Sequence, residues 1–343
     1  MDNSPTFTSL ADLASSRVGG RALAANDDFF ASKANLLKPA PAVFIPGKFT
    51  TRGKWMDGWE SRRRRTPGFD WCVVGLGMRG VGHGVDVDTS YFTGNYPPHC
   101  SIDALDSRTA PRASTFTLQG SPWVELLPKA ELRGDGHNFF AVEDARPWTH
   151  LRLNIFPDGG VARLRVYGEV SVDWQPLAHA TRAIDFASIR NGGLVLAASD
   201  MHFGAKDNMI MPGRAANMGD GWETRRRRGP GHDWAIVRLG APGVLSKIEI
   251  DTNHYKGNYP ESASLEGCAV PASSASRDPM ATVESLTRAS WKEILPRTTL
   301  RPHHRHYFSK ALRQIGAVSH VRLNIFPDGG VSRLRIHGTL ASR

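Results

Sequence analysis

The sequence predicts an all-β protein that consists of two tandem jelly-roll β-sandwich domains. Three observations lead to this prediction. Short segments of alternating apolar and polar residues recur along the chain, punctuated by 34 glycines and 22 prolines. Long amphipathic helical windows are scarce, and nearly the whole chain occurs twice. Many short strands with irregular connections are typical of an antiparallel sandwich, and a duplication of this length is typical of a domain rather than a solenoid repeat.

The first half of the repeat is marked by two blocks. Residues 57–97 recur as residues 220–260 with a constant offset of 163. An earlier block, NDDFFASKANL, has an offset of 173, because its Asp27 corresponds to Asp200. The first copy therefore carries ten additional residues between the two blocks, within PAPAVFIPGKFTTRGKW.

The last block fixes the domain boundaries. LRLNIFPDGGVARLRVYG (151–168) recurs as VRLNIFPDGGVSRLRIHG (321–338). We therefore predict a first domain over residues 1–170 with a short N-terminal tail, a linker over 171–182, and a second domain over 183–343. At 343 residues, the chain is long enough for each domain to bury its own core.

The same block illustrates the strand prediction. Leu151, Leu153 and Ile155 alternate with Arg152 and Asn154, as a half-buried strand requires. PDGG supplies turn residues and the following RLRVY alternates again, which indicates a hairpin. Further strands are predicted for WCVVGL (71–76), VGHGVDVDT (81–89), WVELLP (123–128) and the matching segments of the second copy.

Composition and charge narrow the class of protein. Hydrophobic residues make up 40% of the chain, and no apolar run approaches the roughly 20 residues of a membrane span. No secretory signal is expected at the N-terminus. Three cysteines without a CxxC pair argue against a disulfide or zinc framework and favour a cytoplasmic location. The net charge of +10 attracts nucleic acid, anionic membranes or acidic small molecules, and charge alone does not choose among them.

Two runs of four consecutive arginines follow the tryptophan and glutamate of DGWE in both copies. In an extended segment, Glu60, Arg62 and Arg64 share one face. We expect at least two guanidiniums of each run to pair with carboxylates such as Asp57 or Asp70, while others bind a ligand carboxylate. A solvated basic surface or a localisation signal is the alternative. The acids within the runs argue against a nucleic-acid groove.

The second motif combines strand-end carboxylates with an asparagine loop. VDVDTSYFTGNYP (85–97) recurs as IEIDTNHYKGNYP (248–260), and alternation turns Val85 and Val87 inward. An Asx-type turn at the strand end is one interpretation. The other is that these carboxylates and carboxamides orient an amide-like substrate, because carboxylates accept from N–H groups and carboxamides both donate and accept. The residues concerned are Asp88, Asp251, Asn95 and Asn258.

Histidines are the third candidate. His137 and the group His303, His304 and His306 fall in equivalent regions of the two copies. They share no fixed ligand spacing, so the signal for a metal is weak, and a divalent metal stays open as a cofactor. The sequence contains no Gly-rich phosphate loop, nucleophile elbow or HExxH motif.

At these blocks the sequence resembles the allantoicase (allantoate amidinohydrolase) family, whose members contain two allantoicase repeats. The resemblance covers nearly the full length. It is carried by DDFFASKANLL (27–37), DGWESRRRR (57–65), DTSYFTGNYP (88–97), LRLNIFPDGGVARLRVYG (151–168) and their copies. It implies galactose-binding-like jelly-roll domains and a hydrolase that converts allantoate to ureidoglycolate and urea in purine and allantoin degradation.

The resemblance also implies roles for the candidate residues, since allantoate carries one carboxylate and two ureido groups. Arginines would hold the carboxylate, while an acid would protonate the departing urea and a base would activate water. The substrate-binding candidates are Arg62, Arg64, Arg225, Arg227, Asn95 and Asn258. The catalytic candidates are Glu60, Glu223, Asp88, Asp251 and His137, with acid and base not assigned individually.

Several alternatives stay open. A non-catalytic carbohydrate- or anion-binding jelly-roll module is the competing class of function, because a fold alone does not determine a function. The ten-residue insertion and the unlike histidine segments make the domains non-equivalent, so the sequence does not decide which repeat bears the site. The expected partner is the small-molecule substrate, with neither nucleic acid nor membrane. A homo-oligomer also stays open, since soluble enzymes commonly form symmetric assemblies.

Overall fold

The chain forms two compact units, Met1–Ser171 and Val172–Arg343. The computed structural model describes residues 4–107, 122–178, 183–270 and 279–341. The predicted linker over 171–182 stays a prediction, because residues 179–182 lie outside the described residues. No helix in the described ranges is both long and apolar enough to cross a membrane.

The described residues of the first unit form strands and three 3-10 helices, so the all-β prediction is confirmed here. The strands are β1 (Ala11–Asp12), β2 (Arg21–Ala25), β3 (Phe49–Thr50), β4 (Gly53–Lys54), β5 (Trp59–Glu60), β6 (Asp70–Asp88), β7 (His99–Leu105), β8 (Val124–Glu131), β9 (Phe139–Ala141), β10 (Pro147–Phe156), β11 (Gly160–Val161) and β12 (Arg163–Val170). The 3-10 helices are Thr6–Ser9, Ser16–Val18 and Lys33–Leu37.

The second unit repeats this architecture and adds two short α-helices. Its strands are β13 (Ile184–Asp185), β14 (Leu194–Ala198), β15 (Trp222–Glu223), β16 (Asp233–Asp251), β17 (Ser262–Cys268), β18 (Lys292–Thr299), β19 (Arg305–Phe308), β20 (Ala317–Phe326), β21 (Gly330–Val331) and β22 (Arg333–Leu340). The helices are α1 (Trp174–Ala178), α2 (Pro279–Leu286) and the 3-10 turns Ile189–Asn191, Lys206–Ile210 and Met218–Asp220.

One long strand organises each unit. In the first unit the strand order is β1-β12-β6-β10-β7-β8, and β2 and β9 also pair with β6. The first part of β6, Asp70–Gly75, lies between β10 and β2, whereas its last part is flanked by β12 and β9. Gly77 lies where the partners change, and a Cβ there would come within 2.7 Å of the Gly20 nitrogen. Only glycine therefore permits this close approach of the two backbones.

The strand boundaries preserve the offsets of the sequence repeat. β5, β6 and β7 correspond to β15, β16 and β17 with an offset of 163 residues, and β10 to β12 correspond to β20 to β22 with an offset of 170. The insertion of the first copy contains the two-stranded hairpin β3–β4. The second unit has the 3-10 turn Met218–Asp220 at the corresponding place. The two units thus share their strands and differ in this hairpin.

The central strand β10 is more deeply buried than its sequence pattern predicts. Leu151, Leu153 and Ile155 are buried as expected, but Arg152 and Asn154 are buried as well. Both polar side chains donate to the Asp103 carboxylate, at 2.9 and 2.7 Å. The half-buried prediction is therefore wrong for this strand, because the paired charge allows the polar face to be covered too.

A buried arginine fixes the segment that precedes β5. Arg163 is 1% exposed and donates to the Asp57 carboxylate at 2.6 Å, to the Asp57 carbonyl at 2.8 Å and to the Ala40 carbonyl at 2.9 Å. Burial opposes ionisation of Asp57, but the hydrogen bonds from Lys38 and Arg163 outweigh it and lower the pKa of the carboxyl. Asp57 thus pairs with Arg163 rather than with the arginine run. The second unit repeats the arrangement with Arg333 and Asp220.

We predict that Arg163→Met lowers the free energy of unfolding of the first unit by about 3–5 kcal/mol, because it leaves Asp57 buried and partly unpaired. Arg146→Met is the control, since Arg146 forms a solvent-screened surface ion pair with Asp144 and its loss should change the unfolding midpoint far less. Guanidinium denaturation followed by circular dichroism measures both. Equal midpoints for the two variants would contradict the role of Arg163.

Candidate active site

In each unit, equivalent residues form a cavity at the end of the short β5–β11 or β15–β21 pair. The first cavity has a volume of 250 Å³ and the second 480 Å³. Shared lining residues of the first cavity include Phe30, Glu60, Arg63, Asn95, Tyr96 and Asp158. Their counterparts in the second are Phe203, Glu223, Arg226, Asn258, Tyr259 and Asp328. The second cavity has Glu261 at the position of Pro98 in the first.

A glutamate–asparagine pair lies in both cavities. The Asn95 amide donates to the Glu60 carboxylate at 2.7 Å, and Asn258 donates to Glu223 in the same way. The backbone of Glu60 is held on both sides, by β11 and by a bridge to Ala31. In each unit the structure therefore brings together a glutamate and an asparagine that the sequence predicts as site residues. The glutamate is positioned by its backbone and the carboxamide orients its side chain.

A second carboxylate enters each cavity from the PDGG turn. Asp158 accepts a hydrogen bond from the Arg64 backbone nitrogen at 2.9 Å, and Asp328 accepts one from Arg227 at 2.7 Å. The next residue, Gly159, has φ +143°, and a Cβ there would come within 2.7 Å of the Pro97 nitrogen. A side chain at this position would displace the asparagine loop. The glycine thus keeps the two cavity walls close together.

The pKa of Glu60, the glutamate of the first cavity, is raised above its ordinary value. Burial raises the pKa of Glu60, although the hydrogen bond from Asn95 and the charge of Lys54 partly oppose this effect. Lys54 lies in the hairpin β3–β4 and is exposed. Burial thus favours the protonated form of Glu60, which is the form that can donate a proton to a leaving group.

The arginine runs divide into paired and unpaired side chains. Arg62 pairs with Asp27 and Arg64 with Asp70, each at 2.7 Å. In the second unit Arg225 pairs with Asp200 at 3.1 Å, and Arg227 with Asp233. The expectation that at least two guanidiniums of each run pair with carboxylates is confirmed. Asp70 is one of the partners that the sequence predicts, whereas Asp27 is not.

The arginine that lines the cavity together with Glu60 is Arg63, whereas strand alternation predicts Arg62 or Arg64. Arg63 lines the first cavity, and Arg226 lines the second together with Arg227. Neither Arg63 nor Arg226 has a carboxylate partner among the described residues. The predicted face assignment differs because β5 ends at Glu60, so the arginines lie outside the regular strand.

The cavities occur in a chain with clear relatives. The profile of the allantoicase repeat matches residues 11–171 and 184–341. The chain belongs to the allantoicase family. It is 51% identical to a probable allantoicase 1 of Burkholderia mallei, covering 98% of this chain and 97% of that protein. It is 50% identical to a probable allantoicase of Pseudomonas paraeruginosa, covering 98% of both.

A solved structure of an allantoicase-family protein has the same fold. The crystal structure of allantoicase from Saccharomyces cerevisiae matches with a TM-score of 0.80 and 33% identity, covering 97% of this chain and 96% of that one. The predicted fold class, two tandem jelly-roll domains of all-β structure, is confirmed.

The strand-end aspartates of this allantoicase-family chain lie outside the residues that line the two cavities. Asp88 accepts a hydrogen bond from the Ser90 nitrogen at 2.8 Å, and Asp251 accepts one from Asn253 at 2.8 Å. Both side chains are buried. The geometry is that of an Asx-type turn, the first of the two interpretations offered by the sequence. Asn95, by contrast, does line the cavity.

His137 also lies outside the cavity-lining residues. Its Nδ1 atom is 2.7 Å from the Asp86 carboxylate. Burial raises the pKa of Asp86 to about 6 although His137 opposes the shift. Burial alone would lower the pKa of His137, but the hydrogen bond and charge of Asp86 outweigh it and raise that pKa. Strand pairing makes Arg305, which binds Glu249 at 2.7 Å, the counterpart of His137.

Metal-binding clusters and cysteines are the two remaining kinds of candidate site in the described part of the chain. No group of three or more His, Cys, Asp or Glu side chains is placed to hold a metal ion within those residues. Cys72, Cys100 and Cys268 are buried and free.

Sequence reasoning identifies two of the six pairs of cavity residues named above and misses four, one of which is Tyr96 and Tyr259. The PDGG motif, identical in both copies, indicates only a turn at Asp158 and Asp328. Strand alternation places Arg63 on the face opposite Glu60. Phe30 and Phe203 stand out in the sequence only as part of a matching block. The sequence marks each pair only by its recurrence at equivalent positions of the two copies. Recurrence does not show which side chains lie in the same cavity.

We predict that Lys54→Met raises the pKa of Glu60 further, because the substitution removes the cation that favours the ionised carboxylate. The effect should weaken as salt is added, since Lys54 is exposed. A carboxyl-carbon NMR titration of labelled glutamate measures this pKa, with Glu60→Gln to assign the signal. Lys48→Met is the control, because Lys48 lies 4.0 Å from the Trp55 ring centroid and does not act on Glu60. An unchanged titration in Lys54→Met would refute the interaction.

Proposed function

We propose that the chain is an enzyme that hydrolyses allantoate to ureidoglycolate and urea, as part of purine and allantoin degradation. One observation supports this most strongly. In each unit of this allantoicase-family chain, a cavity is lined by a glutamate–asparagine pair, an aspartate and an arginine. That arginine has no carboxylate partner among the described residues. These groups match the carboxylate, the ureido groups and the proton transfers of that reaction.

Substrate binding follows from the charges in the cavity. Arg63 or Arg226 binds the allantoate carboxylate, because a planar guanidinium without a competing carboxylate can form two parallel hydrogen bonds. Asn95 or Asn258 donates to or accepts from a ureido group. We thus move the carboxylate-binding role from Arg62, Arg64 and their counterparts to the neighbouring arginines, since the former are occupied by aspartates.

Hydrolysis requires a proton donor and a proton acceptor. Water adds its oxygen to the carbon that carries the ureido groups, the C–N bond breaks, and the departing nitrogen gains a proton. Glu60 supplies that proton, because burial raises its pKa. Asp158 accepts a proton from the attacking water. Glu223 and Asp328 occupy the same positions in the second cavity, so both units are proposed to act.

The remaining candidates receive no role at the reacting atoms in this proposal. Asp88, Asp251 and His137 stay sequence-based predictions of catalytic residues, and they lie outside the residues that line the cavities. A divalent metal also stays a prediction. Activity after dialysis against EDTA, and again after adding Mn²⁺ or Mg²⁺, tests it.

We retain a cytoplasmic location, a homo-oligomer and the lack of nucleic-acid binding as proposals. The paired arginines support the last of these, because half of each run is already neutralised by aspartates. Light scattering after size-exclusion chromatography measures the assembly. A gel-shift assay with duplex DNA measures nucleic-acid binding.

We predict that the purified protein releases urea from allantoate and that Glu60→Gln/Glu223→Gln lowers kcat by about 10²–10⁴-fold, as expected for the loss of a positioned acid or base. Each single variant shows which unit works, and a unit whose substitution has no effect is not catalytic. Full kcat in the folded double variant would overturn the glutamate assignment. Tight binding of allantoate by the wild type without urea release would instead favour a binding module.

The arginine assignment has a matched control. We predict that Arg63→Gln/Arg226→Gln lowers kcat/KM by about 10–100-fold, because a hydrogen bond to a charged group contributes roughly 1.5–3 kcal/mol. Arg62→Gln/Arg225→Gln removes the neighbouring, aspartate-paired side chains but keeps the backbone hydrogen bonds to Asp27 and Asp200, so its kcat/KM should fall by less. Steady-state urea release measures both. The reverse order of effects would restore the assignment made from strand alternation.

A further inference from the structure

Each cavity has an exposed phenylalanine at its rim. Phe30 lines the first cavity and is 36% exposed, and Phe203 lines the second and is 62% exposed. Single exposed apolar residues are common on protein surfaces. These two differ from that background because they occupy the same position in both copies and border the same set of polar groups.

The backbone ties each rim phenylalanine to the cavity glutamate. The Phe30 nitrogen donates to the Glu60 carbonyl, and the Phe203 nitrogen donates to the Glu223 carbonyl, both at 3.2 Å. The loop is also fixed from the other side, since Asp27 accepts hydrogen bonds from the Arg62 nitrogen and side chain. The backbone of each rim phenylalanine is therefore fixed next to the backbone of the cavity glutamate.

A second ring supports each phenylalanine. Phe29 packs edge-on against Phe30 with centroids 5.2 Å apart, and His202 packs edge-on against Phe203 at 4.6 Å. In the first unit the hairpin passes close to the Phe30 ring, because a Cβ built on Gly53 would lie 3.8 Å from it. Edge-to-face packing of this kind restricts the ring orientation.

We propose that Phe30 and Phe203 contact the substrate and stack on a planar ureido group, so that they determine selectivity for ureido compounds over aliphatic carboxylates. This inference rests on the proposed function. The charged and carboxamide side chains of each cavity satisfy the edges of a ureido plane but leave its face uncovered. Tyr96 also lines the first cavity, but it packs against the core cluster around Phe92, so the exposed ring at the rim is that of Phe30. An apolar ring at the rim covers that face and excludes water from it.

The test compares kcat and KM of four folded proteins with allantoate as the substrate. We expect Phe30→Ala/Phe203→Ala to raise KM about tenfold, the size of one aromatic stacking contact, while kcat changes less than about twofold. Phe30→Tyr/Phe203→Tyr keeps the ring and should restore the KM. Phe30→Leu/Phe203→Leu keeps apolar volume without a planar face and should not.

Phe49→Ala is the matched control, because Phe49 is a 69% exposed phenylalanine of the hairpin that does not line the cavity. Its KM should equal that of the wild type. A wild-type KM in the double alanine variant, or rescue by leucine equal to rescue by tyrosine, would overturn this inference alone. A wild-type protein that releases no urea would overturn the proposed function and this inference with it.

Discussion

The position of each cavity depends on a guanidinium buried behind it. Arg163 and Arg333 are almost completely buried, and each pairs with the aspartate that begins the DGWE segment. An isolated buried charge is costly, so such an arginine is stable only when its donors find acceptors. The Arg163 donors are satisfied by the Asp57 side chain and by backbone carbonyls, including those of Ala40 and Ala162. The pair therefore holds the segment in one conformation.

The same segment delivers the cavity glutamate. Trp59 is fully buried and donates to the Asp27 carbonyl at 2.8 Å, and Glu60 follows directly in β5. Asp27 also binds Arg62, so one aspartate links the tryptophan, the arginine run and the rim loop. The ion pairs of Arg62 and Arg64 thus stabilise the conformation of this segment. They leave the intervening Arg63 with no carboxylate partner among the described residues and available to an anionic ligand.

The two units share the residues that build the cavity and differ in the residues around it. Both units keep the buried arginine, the glutamate–asparagine pair and the aspartate of PDGG. The first unit adds the hairpin with Lys54, whereas the second replaces Pro98 by Glu261 and has the larger cavity, 480 against 250 Å³. His137 in the first unit corresponds to Arg305 in the second. The two cavities are therefore related but electrostatically distinct.

The sequence by itself determined the all-β class, the tandem repeat and its offsets, because strand periodicity and duplication are properties of the linear chain. It also indicated Glu60, Asn95 and the ion pairing of the arginine runs from their composition. Only the tertiary structure decided that Arg63 rather than Arg62 faces the cavity, and that Asp158 joins it from a turn about a hundred residues away. It likewise placed Asp88 in an Asx turn and buried Arg152 against Asp103. Such convergence depends on loop conformations and on pairing between distant strands, which local periodicity does not encode.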